Sequence, residues 1–164
     1  MAVTLRPVSE EDDDFLYQVY ASTRREEVAA WGWDAVQQEA FLQMQFKAQR
    51  FSYEMDFERV RHSIVLLDDK PVGRLLVNTS DSETRLIDIA ILPEVRKTGI
   101  GTLLIEELKA QAMSEGKPIV LQVLKDNRGA IRLYERLGFI VTEDGAMYLE
   151  MKWLPCEIKT RTAS

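Results

Sequence analysis

The sequence predicts a mixed α/β fold, an α+β arrangement in which helices flank a mixed sheet. Apolar residues recur at helical spacing through the first third of the chain, after one short strand-like segment. From about Arg61 the pattern changes to short runs rich in β-branched residues, separated by turn residues. Strand-like and helical segments then alternate. We therefore expect a sheet of about seven strands and about four helices.

The first part of the chain should form one strand and two helices. Residues 3–8 resemble a strand, and Ser9 precedes a run of acidic residues. A serine cap and first-turn carboxylates both suit the positive end of a helix dipole, so a helix should begin here and run to about Ala30. Asp34 caps a second predicted helix, whereas the aromatic residues 51–57 favour neither helix nor strand.

The remainder of the chain should add strands and two more helices. In chain order these are strands at 63–67, 72–78 and 85–92, a helix at 100–115, a strand at 119–124, a helix at 127–137, and strands at 139–142 and 146–153. Turn residues 68–71 predict a hairpin between the first two of these strands. Gly116 and Gly138 follow the two helices, as expected of glycines at helix C-termini.

Length and composition favour one domain. A chain of 164 residues can bury a continuous core, and we assign residues 1–156 to a single domain and 157–164 to a frayed tail. Hydrophobic residues make up 46% of the chain, but no apolar run approaches the ~20 residues that a membrane span needs. The N-terminal residues have no secretion-signal pattern, which predicts a cytoplasmic location.

Charge and cysteine content narrow the chemistry. One His and one Cys, Cys156, cannot form a zinc cluster or an internal disulfide, so no metal is expected. A net charge of -6 opposes binding to nucleic acid, whose phosphates are held by clustered Lys and Arg. An acidic chain with one basic turn instead suggests an anionic cofactor.

That basic turn, within residues 91–104, is the most informative segment. It joins an apolar strand to a helix, whose free N-terminal N–H groups and dipole favour an anion. Gly99 and Gly101 let backbone amides approach a ligand closely, and Arg96 and Lys97 add positive charge. We predict a polyphosphate site. Its residues are Arg96, Lys97, Thr98, Gly99, Ile100, Gly101 and Thr102.

Two common polyphosphate loops do not match. A nucleoside triphosphate loop needs Lys followed by Ser or Thr after its second glycine, and a dinucleotide loop needs a third glycine where this chain has Leu104. The turn Arg96-x-x-Gly99-x-Gly101 instead resembles the pyrophosphate loop of the GNAT superfamily of N-acetyltransferases. Residues 127–139, from Asn127 to a closing Gly-Phe, resemble the second signature of that family. The resemblance is specific over residues 85–153.

The resemblance implies acetyl-coenzyme A as co-substrate and acetyl transfer to an amine. It also implies a splay between the fourth and fifth strands that holds the pantetheine arm, with backbone amides of Ile91 and Leu92 facing the arm. One of these N–H groups is then a candidate oxyanion donor. Asn127, Arg128 and Ala130 would lie near the pantetheine and a phosphate. Alternatively, Ile91 and Leu92 are core residues, Asn127 is a helix cap and Arg128 a solvated cation.

Two residues are candidates for proton transfer. Tyr134 lies in the second signature, and a phenol with a pKa of about 10 can protonate a thiolate whose conjugate acid has a pKa of about 8.5. A packing role for Tyr134 is the alternative. Asp88 is the one carboxylate of its strand and is a candidate base or acceptor anchor. It could equally pair with a neighbouring arginine or the backbone, and deprotonation through water is also open.

The acceptor should lie against the first two helices. Glu27, Trp31 and Trp33 could hold an ammonium group through charge and aromatic faces, although tryptophans at helix junctions are often core residues. The expected partner is a small-molecule or peptide amine, with no nucleic acid and no membrane, and a homodimer is left open. The alternative function is a non-catalytic acyl-CoA-binding module on the same fold.

Overall fold

The computed structural model describes residues 2–56 and 59–155. Cys156 and the predicted tail 157–164 lie outside the described residues. The described part contains four α-helices and seven β-strands. The helices are α1 (Asp13–Ala29), α2 (Ala35–Asp56), α3 (Ile100–Glu115) and α4 (Arg128–Arg136). The strands are β1 (Val3–Pro7), β2 (Val60–Leu67), β3 (Lys70–Thr79), β4 (Thr84–Ile91), β5 (Ile119–Leu124), β6 (Ile140–Asp144) and β7 (Tyr148–Trp153).

The seven strands form one mixed sheet in the order β1-β2-β3-β4-β5-β7-β6. Contacts divide the chain into two compact units. The first comprises Met1–Leu76 and Asp88–Arg96, and the second comprises Val77–Ile87 and Lys97–Ser164. Strands β3 and β4 each contribute residues to both units. The assignment of residues 1–156 to one domain stays a prediction.

The first unit buries an apolar cluster supplied by α1, α2 and β2. Its members are Leu16, Tyr20, Ala21, Val28, Leu42, Phe46 and Ile64. At the start of α1, the backbone N–H of Ser9 donates to the Asp12 carboxylate at 2.8 Å, and Arg6 donates to both carboxylate oxygens at 2.8 Å. These bonds, the Arg6 pair foremost, hold the pKa of Asp12 well below its usual range. The predicted Ser9 turn is therefore closed by a partly buried ion pair.

The second unit is built on β5 and its neighbours. Strand β5 pairs in parallel with β4 through three residues, Thr84–Leu86 with Ile119–Leu121, and antiparallel with β7 through all six of its residues. Helix α3 buries Leu104, Ile105 and Leu108. Lys109 of α3 donates to the carbonyl of Leu137 at 2.8 Å, and its ammonium lies 5.3 Å from the Trp153 ring centroid. Helices α3 and α4 and strand β7 are thereby tied together.

The predicted elements agree with most of these bounds. Helix α3 and strand β5 begin and end where the sequence indicated. Asp68 and Asp69 have φ of 50° and 69°, as a tight hairpin turn between β2 and β3 requires. The ambiguous aromatic segment is helical as far as Asp56, because α2 runs on through it, and Phe57 lies outside the described residues. None of the described helices is long and apolar enough to cross a membrane.

Candidate cofactor and acceptor site

The basic turn has the backbone geometry of a helix entry. After β4, residues Pro93–Val95 form a 3-10 turn, and Lys97 and Gly99 have φ of 65° and 87°. A left-handed lysine is uncommon, whereas glycine adopts this conformation without steric cost. Gly99 is the N-cap of α3. The two left-handed residues therefore direct the chain into the helix at the predicted position.

The first turn of α3 leaves room for a ligand. No heavy atom lies within 4 Å of the point where a Cβ on Gly99 would stand, and at Gly101 the nearest atom is Leu133 Cδ2 at 3.8 Å. The first N–H groups of a helix have no intrahelical acceptor and carry partial positive charge. The start of α3 therefore fits an anion such as a phosphate group.

The end of β4 is set by its contact with β3. The Leu92 N–H donates to the Val72 carbonyl at 2.8 Å, so it is occupied and is a poor candidate for the oxyanion donor. A Cβ on Gly73 would stand 2.3 Å from the Ala90 carbonyl oxygen, which shows how closely the two strands approach. The N–H of Ile91 is the candidate that remains. The Ile91 carbonyl accepts a bond of 2.9 Å from Arg96 Nε.

Helix α4 carries the second predicted group. Asn127 caps the helix, because its Oδ1 accepts from the Ala130 N–H at 3.2 Å, as the structural alternative proposed. Arg128 is exposed in the first turn. Tyr134 is only 8% exposed, and its ring centroid lies 5.7 Å from that of Phe139. The tyrosine is thus buried and packed against an aromatic ring within the second unit.

Asp88 has an arginine partner that the sequence did not identify. Arg74 Nε donates to Asp88 Oδ2 at 2.7 Å, and Nη2 forms an ion pair with the same oxygen at 2.5 Å. Nη2 also donates to Gln49 Oε1 at 3.0 Å. His62 of β2 also lies in the first unit. Burial, and then the charges of Arg74 and Arg50, lower the pKa of His62 to about 4. This histidine is therefore neutral at physiological pH.

The predicted acceptor residues form an aromatic cluster in the first unit. Trp31, Trp33 and Phe41 pack edge to face with centroids 5.1 to 5.5 Å apart, and each tryptophan is about two-fifths exposed. Arg24 already lies over the Phe41 ring at 5.7 Å and donates to Glu27 at 2.8 Å. Arg24 of the chain itself thus supplies part of the positive charge that this cluster was predicted to bind.

The second unit contains a pocket that sequence reasoning missed. Its volume is about 330 Å³, and its lining is acidic, amide and aromatic. The lining residues are Gln122, Glu143, Gly145, Ala146, Met147, Tyr148 and Glu150. Glu143 and Glu150 lie opposite each other in the β6–β7 register. Facing carboxylates on neighbouring strands are unfavourable. In the sequence, the signal for this pocket was a pair of acids seven residues apart on either side of Gly145.

The predicted residues divide between the two units. The first unit contains Asp88, Ile91, Leu92 and Arg96 together with Glu27, Trp31 and Trp33. The second contains Lys97, Thr98, Gly99, Ile100, Gly101 and Thr102 together with Asn127, Arg128, Ala130 and Tyr134. Each unit therefore carries part of the predicted cofactor site.

Solved structures show the class of fold. A PaiA N-acetyltransferase from Thermoplasma acidophilum, in complex with coenzyme A, superposes with a TM-score of 0.71 at 17% identity, over 94% of this chain and 99% of that one. An acetyltransferase from Thermus thermophilus gives a TM-score of 0.69 at 20% identity, over 94% and 97% of the two chains. The fold is thus that of acetyltransferases.

Sequence comparison then identifies the family. The pattern of the acetyltransferase (GNAT) family matches residues 16–139, and the chain belongs to this family. An N-acetyltransferase of Methanocaldococcus jannaschii is 30% identical over 145 residues, which cover 83% of this chain and 60% of that protein. The ribosomal protein bS18-alanine N-acetyltransferase of Salmonella typhimurium is 31% identical over 83 residues, or 50% and 56% of the two chains. The matched regions thus cover about three-fifths or less of these relatives.

Proposed function

We propose that the chain is an acetyl-CoA-dependent N-acetyltransferase that moves an acetyl group to a primary amine of a small molecule or peptide. The observation that carries the proposal is the open, basic start of α3. There Gly99 caps the helix with φ of 87°, and the backbone at Gly101 is unobstructed to 3.8 Å. Membership of the acetyltransferase family supports acetyl-CoA as the ligand of this anion site.

The backbone offers sites for both ends of the cofactor. The amides of α3 from Gly99 onward, with Arg96 and Lys97, would hold the pyrophosphate. The parallel register between β4 and β5 ends at Leu121, whereas β5 keeps β7 as its antiparallel partner to Leu124. A strand-like pantetheine arm could therefore add to β5 beyond Leu121, with its backbone hydrogen bonds supplied by the strand.

Acetyl-CoA supplies an acetyl group activated as a thioester. In direct transfer the amine nitrogen forms the new C–N bond, the C–S bond breaks, one proton leaves the nitrogen and one reaches the sulfur. The Ile91 N–H would stabilise charge that develops on the carbonyl oxygen. Tyr134 would donate its hydroxyl proton to the thiolate, and Asp88 would receive or orient the amine.

The acceptor is proposed from charge and from the relatives. Glu143 and Glu150 in the pocket of the second unit favour a cationic acceptor, and Tyr148 adds an aromatic surface. The relatives include enzymes named for an alanine of a ribosomal protein and for peptidyl-lysine. Peptide α-amines and lysine side chains are therefore the first acceptors to test.

The non-catalytic acyl-CoA-binding module is the second candidate. It is favoured by the ion pair between Asp88 and Arg74 and by the burial of Tyr134, since both residues already have structural roles. The two functions differ in turnover and share coenzyme A binding.

One pair of measurements tests these functions. Coenzyme A should raise the melting temperature while ATP and NAD do not, because saturation at ~100 times Kd stabilises a native protein by about 2.7 kcal/mol. Acetyl-CoA should then acetylate a peptide or polyamine from a panel, detected by mass spectrometry and corrected for hydrolysis. A flat thermal shift with coenzyme A would contradict both functions, and a shift without any product across the panel would support the binding module.

A further inference from the structure

Arg74 is a buried cation that the cofactor site does not use. It lies on β3 and is only 4% exposed, whereas Asp88 on β4 keeps 27% of its side chain accessible. A buried guanidinium is costly unless its donors are paired, so its partners are informative. Those partners are the carboxylate of Asp88 and the side-chain amide of Gln49 on α2.

The contacts of Arg74 with Asp88 reach one oxygen. Arg74 Nε donates to Oδ2, and the charged Nη2 lies 2.5 Å from the same oxygen, whereas among the described residues none donates to Oδ1. The terminal torsion of an aspartate is broad and nearly two-fold, so a carboxylate without partners presents either oxygen in many directions. The hydrogen bond and the ion pair at Oδ2 remove this freedom and leave Oδ1 as the oxygen that can meet another group.

We propose that Arg74, itself held by Gln49, is a positioning residue that orients Asp88 so that Oδ1 receives the acceptor amine. The proposal rests on the proposed acetyltransferase function. As an anchor, Oδ1 accepts a hydrogen bond from the ammonium; as a base, it takes one proton from the nitrogen before the C–N bond forms. Both roles need a carboxylate oxygen of fixed direction.

Gln49 makes this arrangement depend on α2. The bond of 3.0 Å from Arg74 Nη2 to Gln49 Oε1 gives the guanidinium a second fixed partner besides the aspartate. Replacing Gln49 with Met would keep the volume and remove the acceptor. Its effect should therefore be in the same direction as loss of Arg74, and smaller, since the hydrogen bond and the ion pair to Oδ2 remain.

The test is a double-mutant cycle on the full chain. We compare Arg74→Met, Asp88→Asn and the double variant, measuring kcat/KM for the identified acceptor and Kd for coenzyme A. Arg74→Met should lower kcat/KM about 10- to 100-fold, the range for lost hydrogen bonds to a charged group. Coenzyme A affinity should not change. In the Asp88→Asn background, the same substitution should change kcat/KM by less than about twofold, because residues that act as a unit are not additive.

A matched control separates positioning from stability. Arg6→Met breaks another arginine–aspartate pair of the first unit, with Asp12, and should lower the melting temperature without changing kcat/KM. If Arg74→Met does not fold, Arg74→Lys and Gln49→Met take its place in the cycle. Additive losses in the double variant, or a weaker coenzyme A complex, would overturn the positioning role alone. A wild-type chain without turnover on any acceptor would overturn the proposed function and this role with it.

Discussion

Tyr134 illustrates how one residue can serve both packing and chemistry. Its ring is fixed against Phe139, and the chain turns back from α4 through a bond of 3.0 Å from the Phe139 N–H to the Tyr134 carbonyl. The ring therefore stabilises the end of the helix whether or not the hydroxyl reacts. Only a change that removes the hydroxyl and keeps the ring can separate the two roles.

Tyr134→Phe is that change. If the hydroxyl protonates the departing thiolate, turnover should fall by ~100- to 10,000-fold while the Kd for coenzyme A stays the same, because general acid catalysis typically contributes that much. Steady-state kinetics on an identified acceptor and calorimetry with coenzyme A provide the two numbers. Wild-type turnover, under conditions where chemistry limits the rate, would assign Tyr134 to packing.

Gly73 is a second residue whose identity the fold requires. A Cβ there would stand 2.3 Å from the Ala90 carbonyl oxygen and 3.2 Å from Ile91 Cα, both backbone atoms. Gly73→Ala should therefore cost about 1 to 3 kcal/mol of unfolding free energy and shift the backbone at Ile91. Denaturant unfolding measures the first effect. Gly129→Ala is the control, because nothing lies within 4 Å there and alanine favours the helix; equal losses in the two variants would contradict the steric account.

At the scale of elements, the first turn of α3 carries most of the proposed anion site. Backbone conformation sets the direction of the amides that follow the N-cap glycine. At the other end, Gly116 ends the helix in the left-handed conformation with φ of 67°. Since the anion would meet main-chain atoms, the sequence requirement is for small residues at two positions. This explains why so short a motif can be informative.

Gly101→Ala should separate the stability of this helix from ligand binding. Alanine fits at this position, where the nearest atom is 3.8 Å away, and is favoured over glycine in a helix by up to about 1 kcal/mol. The variant should therefore melt at the wild-type temperature or above it, yet show a smaller shift with coenzyme A because its methyl group obstructs the amides. Gln111→Ala, on the same helix and away from its start, should keep the full shift. An unchanged melting-temperature shift in Gly101→Ala would show that the anion does not bind at this turn.

Local signals explain which elements the sequence could predict. Helix α3 lies between a glycine entry and a glycine exit, and β5 is apolar at every position except Gln122, so the bounds of both elements were clear. The partner of Asp88 could not be predicted, because Arg74 lies 14 residues away in the sequence and is brought near by strand pairing. The β6–β7 pocket depends on register in the same way. Periodicity identifies elements, whereas contacts between side chains on different strands depend on how the strands align.

For the whole molecule, two groups with lowered pKa values, His62 and Asp12, contribute to acid stability in separate pH ranges. The chain has one histidine, and His62 is the single side chain whose ordinary pKa lies between pH 5 and 8. Its pKa in the folded protein is about 4, against about 6.5 when unfolded. Asp12 has a folded pKa below its unfolded value of about 3.9, because of Arg6 and then Ser9. In both cases the unfolded chain binds protons more readily, so stability falls on acidification.

The two groups should therefore lower stability in successive steps. Between pH 6.5 and about 4, protonation of His62 favours the unfolded chain, and we expect the free energy of unfolding to fall by ~2 kcal/mol. The full pKa difference, at ~1.4 kcal/mol per pKa unit, would predict a larger loss, but the side chain keeps some solvent contact. Urea unfolding at a series of pH values measures this slope. His62→Phe should flatten this slope above pH 4. Asp12→Asn should lower stability at every pH above about 4, where the ion pair with Arg6 is intact, keep the slope there, and flatten the slope only below about pH 4. If His62→Phe keeps the wild-type slope between pH 4 and 6.5, burial of a neutral histidine does not limit the acid stability of this protein.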